Sequence, residues 1–292
     1  MNEENRRALL TLPVVILVAL GLAWAGSQRS AVAFGVPIFA LAVGLAFLIQ
    51  WLVFVPAYVL QTELFYDLTG SITYISVTLI TVLLSPTVDA RSLLLLALVV
   101  IWAGRLGTFL FRRVLEKGKD ARFEELKVSF IRFLNTWTLQ GLWVSFTLAA
   151  ALAAITTTVR RPLGAFALGG FLVWVFGFTI EAVADAQKRR FREDPENEDD
   201  FIDTGLWAWS RHPNYFGEIV LWIGVAIIAL PVLRGWQWVT LISPVFVTLL
   251  ITRVSGIPIL EKRADEKWGG QEDYEKYKER TPVLIPRPPS EG

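Results

Sequence analysis

The sequence contains no cysteine, one histidine and one methionine among its 292 residues. Without cysteine there can be no disulfide bond and no thiolate nucleophile. With a single histidine, a zinc site or a serine–histidine triad would have to be built almost wholly from carboxylates, so we predict no metal site. Charged residues are also scarce, at 19%, and the net charge is +1. Basic residues are spread through short segments, which excludes a nucleic-acid partner.

Apolar residues make up 54% of the chain and come in long runs. Runs near 20 residues are the length of a membrane-spanning helix. The fold class predicted is therefore an all-α integral membrane protein, a polytopic bundle of seven to eight transmembrane helices. The runs cover residues 8–25, 31–54, 57–84, 92–111, 130–155, 163–183, 219–233 and 237–251. Pro56 should break or kink the chain, and the last two runs are short enough to form a hairpin.

Basic residues predict the orientation of this bundle. If eight helices cross the membrane, the basic segments all fall on one side: Arg6 and Arg7, the 112–127 loop, the 188–211 segment and the tail. The positive-inside rule then places both termini and the Gly118 loop in the cytoplasm. No separate soluble domain is visible, so we expect one membrane domain over 1–292, with N-terminal helices in 1–56 and a core in 57–286.

Polar residues concentrate between residues 181 and 218. On a helix, one face would carry Glu181, Asp185, Lys188, Arg189 and Arg192. A solvated helix end held by ion pairs explains this stripe equally well. The adjoining Arg211, His212 and Asn214 favour a binding site, because a helix end needs no second polar cluster at the start of the next helix.

A second polar group interrupts the 57–84 run, with Gln61, Glu63, Tyr66 and Asp67. Ionisable groups at membrane depth are costly and predict function, although residues 61–71 can also be a surface loop. No base lies within ten positions of Glu63. We therefore expect burial to keep this carboxyl neutral and able to donate a hydrogen bond, with Gln61 beside it.

The segment GLWAWSRHPNYFGE, preceded by D-x-x-K-x-x-F-R, resembles the C-terminal signature of the steroid 5-alpha reductase family and its bacterial relatives. The Gln61 to Glu63 pair, Arg105 after a tryptophan, and the LQG at 139–141 are similar to upstream motifs of that family. The resemblance covers about residues 57–286. Sterol reductases and isoprenylcysteine or phospholipid methyltransferases carry similar Arg-His-Pro-x-Tyr sequences.

The resemblance implies NADPH-dependent reduction of a steroid-like 3-oxo-Δ4 enone, with the cofactor entering from the cytosol and the lipid from the bilayer. It implies catalytic roles for Gln61, Glu63 and Tyr66. The implied cofactor-binding residues are Arg105, Asn135, Glu181, Asp185, Arg189, Arg192, Arg211, His212, Asn214, Tyr215, Glu218, Arg253 and Tyr274. Trp102 stands near the family's catalytic tyrosine, which leaves Tyr66 as the additional donor. No G-x-G-x-x-G loop is present, so the site is not a Rossmann site.

Two other functions fit the same sequence. An integral-membrane methyltransferase would bind S-adenosylmethionine, and a lipid-binding membrane protein without catalysis would bind no nucleotide. Only a reductase needs a polar group that faces an enone oxygen. Gln61 and Glu63 therefore favour the reductase.

Overall fold

The computed structural model describes residues 3–117 and 121–289, and side chains at all these positions except 111–117, 121 and 122. Gly118, whose loop is predicted to be cytoplasmic, lies outside the described residues. Within the described part, eight helical segments are long and apolar enough to cross a membrane: Glu3–Ser27, Ile38–Val59, Tyr66–Leu84, Ala90–Leu110, Phe130–Thr156, Ala165–Glu193, Pro213–Val232 and Gly235–Trp268. The all-α fold class is confirmed with eight spans, and the chain is a multi-pass integral membrane protein.

The element order is simple. The helices are α1 (Glu3–Ser27), α2 (Ile38–Val59), α3 (Tyr66–Leu84), α4 (Ala90–Lys117), α5 (Ala121–Glu124), α6 (Phe130–Thr156), α7 (Ala165–Glu193), α8 (Pro213–Ala229), α9 (Ile242–Leu249), α10 (Ile257–Trp268) and α11 (Glu272–Arg280). A two-stranded hairpin, β1 (Val32–Ala33) and β2 (Val36–Pro37), separates α1 from α2. Its tip holds Phe34 and Gly35 at positive φ.

The chain divides into two compact units. The first comprises Met1–Ala167 and Ile228–Ser243, and the second comprises Leu168–Ile227 and Pro244–Gly292. The single membrane domain over residues 1–292 stays a prediction. In the first unit, α6 packs against α1, α2, α3 and α4. Its second half is buried and rich in alanine, and such small side chains let neighbouring membrane helices approach closely.

The two ends of the first unit are tied by different contacts. At one end, Arg132 Nη1 lies 2.7 Å from Glu4 Oε2, and Ser129 donates to Asn5. At the other end, Ser30 pairs with Thr157 in an isolated bridge. Hence α1 and α6 begin at the same end of the unit, as the eight-span topology requires. The cytoplasmic assignment of that end stays a prediction.

Helix boundaries differ from those expected at three places. The second helix runs through Pro56 to Val59, so this proline does not end the helix, although it removes one backbone hydrogen bond. Gln61 and Glu63 consequently lie in the connection between α2 and α3, outside any helix. The last two runs were expected to be short. The final span instead reaches Trp268. A π-helical turn, Leu250–Val254, extends the helix past the apolar run, and α10 follows after a bend at Ser255 and Gly256.

Candidate functional site

The second unit is built around a close crossing of α7 and α8. A Cβ atom on Gly177 would lie 2.5 Å from the backbone nitrogen of Leu221, and one on Gly224 would lie 2.6 Å from the carbonyl oxygen of Gly170. Gly217 lies at the same crossing, and a Cβ atom on it would lie 2.6 Å from the backbone nitrogen of Glu181. Only glycine allows such backbone contact. The start of α8 is thereby pressed against the polar half of α7.

This crossing joins two of the predicted residues directly. Asn214, in the first turn of α8, donates from Nδ2 to Asp185 Oδ1 at 3.2 Å. A carboxylate only accepts hydrogen bonds, so the contact fixes which side of the amide faces Asp185. The amide oxygen of Asn214 therefore points elsewhere, as an acceptor.

Along α7, exposure increases towards the helix end. Glu181 is buried, and Asp185 and Lys188 are half-buried. Arg189 and Arg192 are exposed, and Arg189 Nε lies 3.6 Å from Glu193. The acids thus lie deep and the arginines lie near water. Lys188 Nζ lies 4.2 Å from the ring centre of Trp207, a buried tryptophan.

Glu261, on α10, connects Arg211 and His212 of the Arg-His-Pro-Asn segment. Its two carboxylate oxygens each lie 2.7 Å from a partner, Arg211 Nη1 and His212 Nε2. Arg211 is one of the predicted cofactor-binding residues, and its Nη1 engages this carboxylate. Burial lowers the pKa of His212 below its ordinary value, although Glu261 opposes that change. A neutral His212 donating from Nε2 to Glu261 leaves Nδ1 as an acceptor.

Three buried polar atoms of this segment have no hydrogen-bond partner in the part of the chain that the structure describes. They are Arg211 Nε, His212 Nδ1 and Asn214 Oδ1. Buried polar atoms are normally paired, and each unpaired one costs about 1–3 kcal/mol. One donor and two acceptors within four residues form a pattern that a polar ligand can satisfy.

The remaining residues predicted for this site differ in their surroundings. Tyr215 stacks on His212, with ring centres 5.7 Å apart, and Glu218 is half-buried one turn further along α8. Arg253 is exposed in the π-helical turn. Tyr274 is buried, and its hydroxyl donates to Asp265 at 3.2 Å. Burial, reinforced by Asp265, raises the pKa of Tyr274 to about 12.

In the first unit, Glu63 forms a buried ion pair. Lys127, between α5 and α6, places Nζ 3.1 Å from Glu63 Oε2, and both side chains are nearly inaccessible to solvent. We expected no base near this carboxyl, and that expectation is wrong. Lys127 is 64 positions further along the chain, and the fold brings it next to Glu63.

Gln61 and Tyr66 are the two other residues predicted to be catalytic. Gln61 is exposed at positive φ and donates from Nε2 to the carbonyl oxygen of Tyr58 at 2.7 Å. Tyr66 is buried, and its hydroxyl donates to the carbonyl oxygen of Thr136 at 3.2 Å. Its ring packs against Phe123 and Trp137. Both side chains therefore make hydrogen bonds with backbone.

The other predicted residues of the first unit lie within helices. Arg105, on α4, and Asn135, on α6, are half-buried. Asn135 Oδ1 is a buried acceptor without a partner in the described parts of the chain. Trp102 is buried and packs edge-on against Tyr74, with ring centres 5.1 Å apart.

Sequence reasoning missed Glu261 and Lys127. Neither belongs to a recognisable motif, and each meets its partner across a long stretch of chain. The available signal was weak. Glu261 begins a charged run directly after an apolar one, and Lys127 closes a basic loop that was used only to predict orientation.

Comparison with known proteins places this geometry in context. The family described as "Protein of unknown function (DUF1295)" matches residues 53–281. The 3-oxo-5-alpha-steroid 4-dehydrogenase 1 of Rattus norvegicus is 28% identical over 120 residues, which are 41% of this chain and 40% of the rat protein. The match therefore spans less than half of that curated relative. No solved structure matches the chain. Since residues 53–281 cover most of its length, the chain belongs to the DUF1295 family, and it is distantly related to a steroid 5-alpha reductase.

Proposed function

We propose that this protein is an NADPH-dependent oxidoreductase that reduces the C=C bond of a steroid-like 3-oxo-Δ4 enone. The observation that carries the proposal is the set of unpaired buried atoms on Arg211, His212 and Asn214, in a segment that resembles the steroid 5-alpha reductase signature. The distant relationship to the rat enzyme supports the same reaction class.

The residues present fit the cofactor. Ribose hydroxyls and the carboxamide amino group are donors, which the acceptor atoms His212 Nδ1 and Asn214 Oδ1 require. A carboxamide or phosphate oxygen matches the donor Arg211 Nε. Arg189 and Arg192 lie at the exposed end of α7, where cations can meet phosphates approaching from water. When bound, NADPH supplies a hydride.

The enone is proposed to bind with its carbonyl oxygen at Glu63. Reduction at the β-carbon moves negative charge onto that oxygen, so a donor must be preorganised there. Glu63 and Lys127 are the buried ion pair at the end of the first unit where α1 begins. We propose that this end faces the cytosol, where the cofactor is available, and that the lipid enters from the bilayer.

Ligand binding tests the proposal against its alternatives. A ligand that binds only the native state raises its thermal stability. Purified protein in detergent should be stabilised by NADPH, less by NADH, and not by S-adenosylmethionine. Oxidation of NADPH should follow addition of a 3-oxo-Δ4-steroid. Stabilisation by S-adenosylmethionine alone would identify a methyltransferase, and no stabilisation by any nucleotide would indicate a lipid-binding protein.

A further inference from the structure

We propose that Lys127 is a catalytic residue, whose ammonium group donates the hydrogen bond to the enone oxygen, with Glu63 as its counter-ion. This inference rests on the proposed function and specifies which atom of the site acts. It also replaces the expectation that a neutral Glu63 is the donor.

The hydrogen bonds of Lys127 leave one donor available. Nζ donates to Glu63 Oε2 at 3.1 Å and to Glu124 Oε1 at 2.8 Å. An ammonium group carries three N–H bonds. The described backbone and side chains, which leave out the side chains of residues 111–117, 121 and 122, hold no partner for the third, and the residue as a whole is 9% exposed. A buried ammonium donor without a partner is costly, and a carbonyl oxygen would satisfy it.

The two carboxylates also fix the charge of this group. Hydrogen bonds to Glu124 and Glu63 raise the pKa of Lys127 above its ordinary value, although burial opposes them. Among the side chains that the structure describes, Glu124 on α5 and Glu63 in the α2–α3 connection are the charged groups that act on Lys127. Lys127 therefore stays cationic across the physiological range.

The chemistry follows from that charge. A hydride adds to the β-carbon, the C=C π bond breaks, and its electron pair moves through the α-carbon onto the carbonyl oxygen. Lys127 stabilises the resulting enolate oxygen with a charge-assisted hydrogen bond. Solvent then supplies one proton to the α-carbon, the carbonyl re-forms, and the lysine keeps its own proton. The reaction consumes one hydride and one proton in total.

The variant that tests the inference is Lys127→Met, which keeps the length of the side chain and removes the donor. Loss of one such donor lowers turnover by about a hundredfold or more. Lys127→Arg should retain part of the activity. Because Lys127→Met alone leaves Glu63 buried without this cation, Lys127→Met combined with Glu63→Gln removes both charges and guards against misfolding. The control is Lys262→Met, at an exposed lysine of α10.

Two readouts separate catalysis from a structural role. The parent and all variants should show equal thermal stabilisation by NADPH. With an enone labelled with 13C at its carbonyl, infrared difference spectra should show the stretch at lower frequency in the parent than in Lys127→Met, because a hydrogen bond weakens the C=O bond. Equal frequencies, or equal turnover in parent and Lys127→Met, would overturn the assignment.

The pH profile gives an independent comparison with the earlier expectation. If Lys127 is the donor, turnover of the parent stays level as pH rises through neutrality. If a neutral carboxyl is the donor, turnover falls as the carboxyl ionises. A parent enzyme that binds the enone and never reduces it would defeat the proposed function. The assignment of Lys127 could still be tested in that case, because the infrared comparison does not depend on turnover.

Discussion

Gly217 and Gly177 face each other where α8 crosses α7, and a Cβ atom on Gly217 would lie 2.5 Å from the carbonyl oxygen of Gly177. Real side chains do not approach backbone oxygen so closely, so the two helices would have to separate to admit a methyl group. This contact determines how near Asn214 lies to Asp185.

We therefore expect Gly217→Ala to disturb both stability and cofactor binding. Overpacking of this kind costs about 1–3 kcal/mol. It should also lengthen the contact between Asn214 and Asp185 and weaken NADPH binding. Thermal unfolding and NADPH titration measure the two effects. Gly21→Ala is the matched control, since nothing lies within 4 Å of its Cβ position. Equal melting temperatures for Gly217→Ala and Gly21→Ala would refute the tight crossing.

The arginine at the exposed end of α7 offers a second prediction. Arg192→Ala should weaken NADPH binding about ten- to a hundredfold, because a lost charge-assisted contact with phosphate costs about 1.5–3 kcal/mol. Arg190→Ala serves as the control, because Arg190 is an exposed arginine two positions away on a different face of the same helix. Binding isotherms that coincide for the two variants and the parent would exclude Arg192 as a phosphate ligand.

Tyr274 makes stability depend on alkaline pH. Its pKa is raised from 10.0 to about 12 in the folded chain, so the unfolded chain loses this proton first as pH rises. The contribution of Tyr274 to the free energy of unfolding is complete below pH 10 and is lost between pH 10 and about 12. Tyr274→Phe should therefore lose less stability than the parent over this interval. If the melting temperatures of the parent and of Tyr274→Phe fall equally over this pH interval, the raised pKa of Tyr274 is contradicted.

Orientation in the membrane is testable because the chain has no cysteine. We expect Gln61→Cys and Asp199→Cys to react with a membrane-impermeant thiol reagent from the cytoplasmic side, and Val88→Cys to react from the opposite side. All three positions are exposed. Labelling of Gln61→Cys and Val88→Cys from the same side would rule out the eight-span topology.

The membrane architecture was readable from sequence because each span needs about 20 apolar residues, and these leave an unmistakable run. Boundaries were less accurate, since polar residues extend helices without adding to the apolar signal. The span that starts at Gly235 shows this effect, because it continues to Trp268 through a charged segment.

Some polar residues of the candidate site were predicted from sequence, whereas their partners from other elements were not. Helical periodicity placed Glu181 and Asp185 on one face of α7, because residues four apart on a helix are neighbours. Periodicity says nothing about partners brought in by other elements. Glu261 reaches His212 across 49 positions, and Lys127 reaches Glu63 across 64. Such contacts are set by tertiary packing alone.

The glycine crossing also limits which parts of the second unit can move. Helices whose backbones touch have no side-chain layer over which to slide, so we expect α7 and α8 to move together. Glu261, which belongs to α10, lies 2.7 Å from both Arg211 Nη1 and His212 Nε2, directly before α8. Any shift of α10 relative to the start of α8 would therefore have to break both contacts of this single carboxylate.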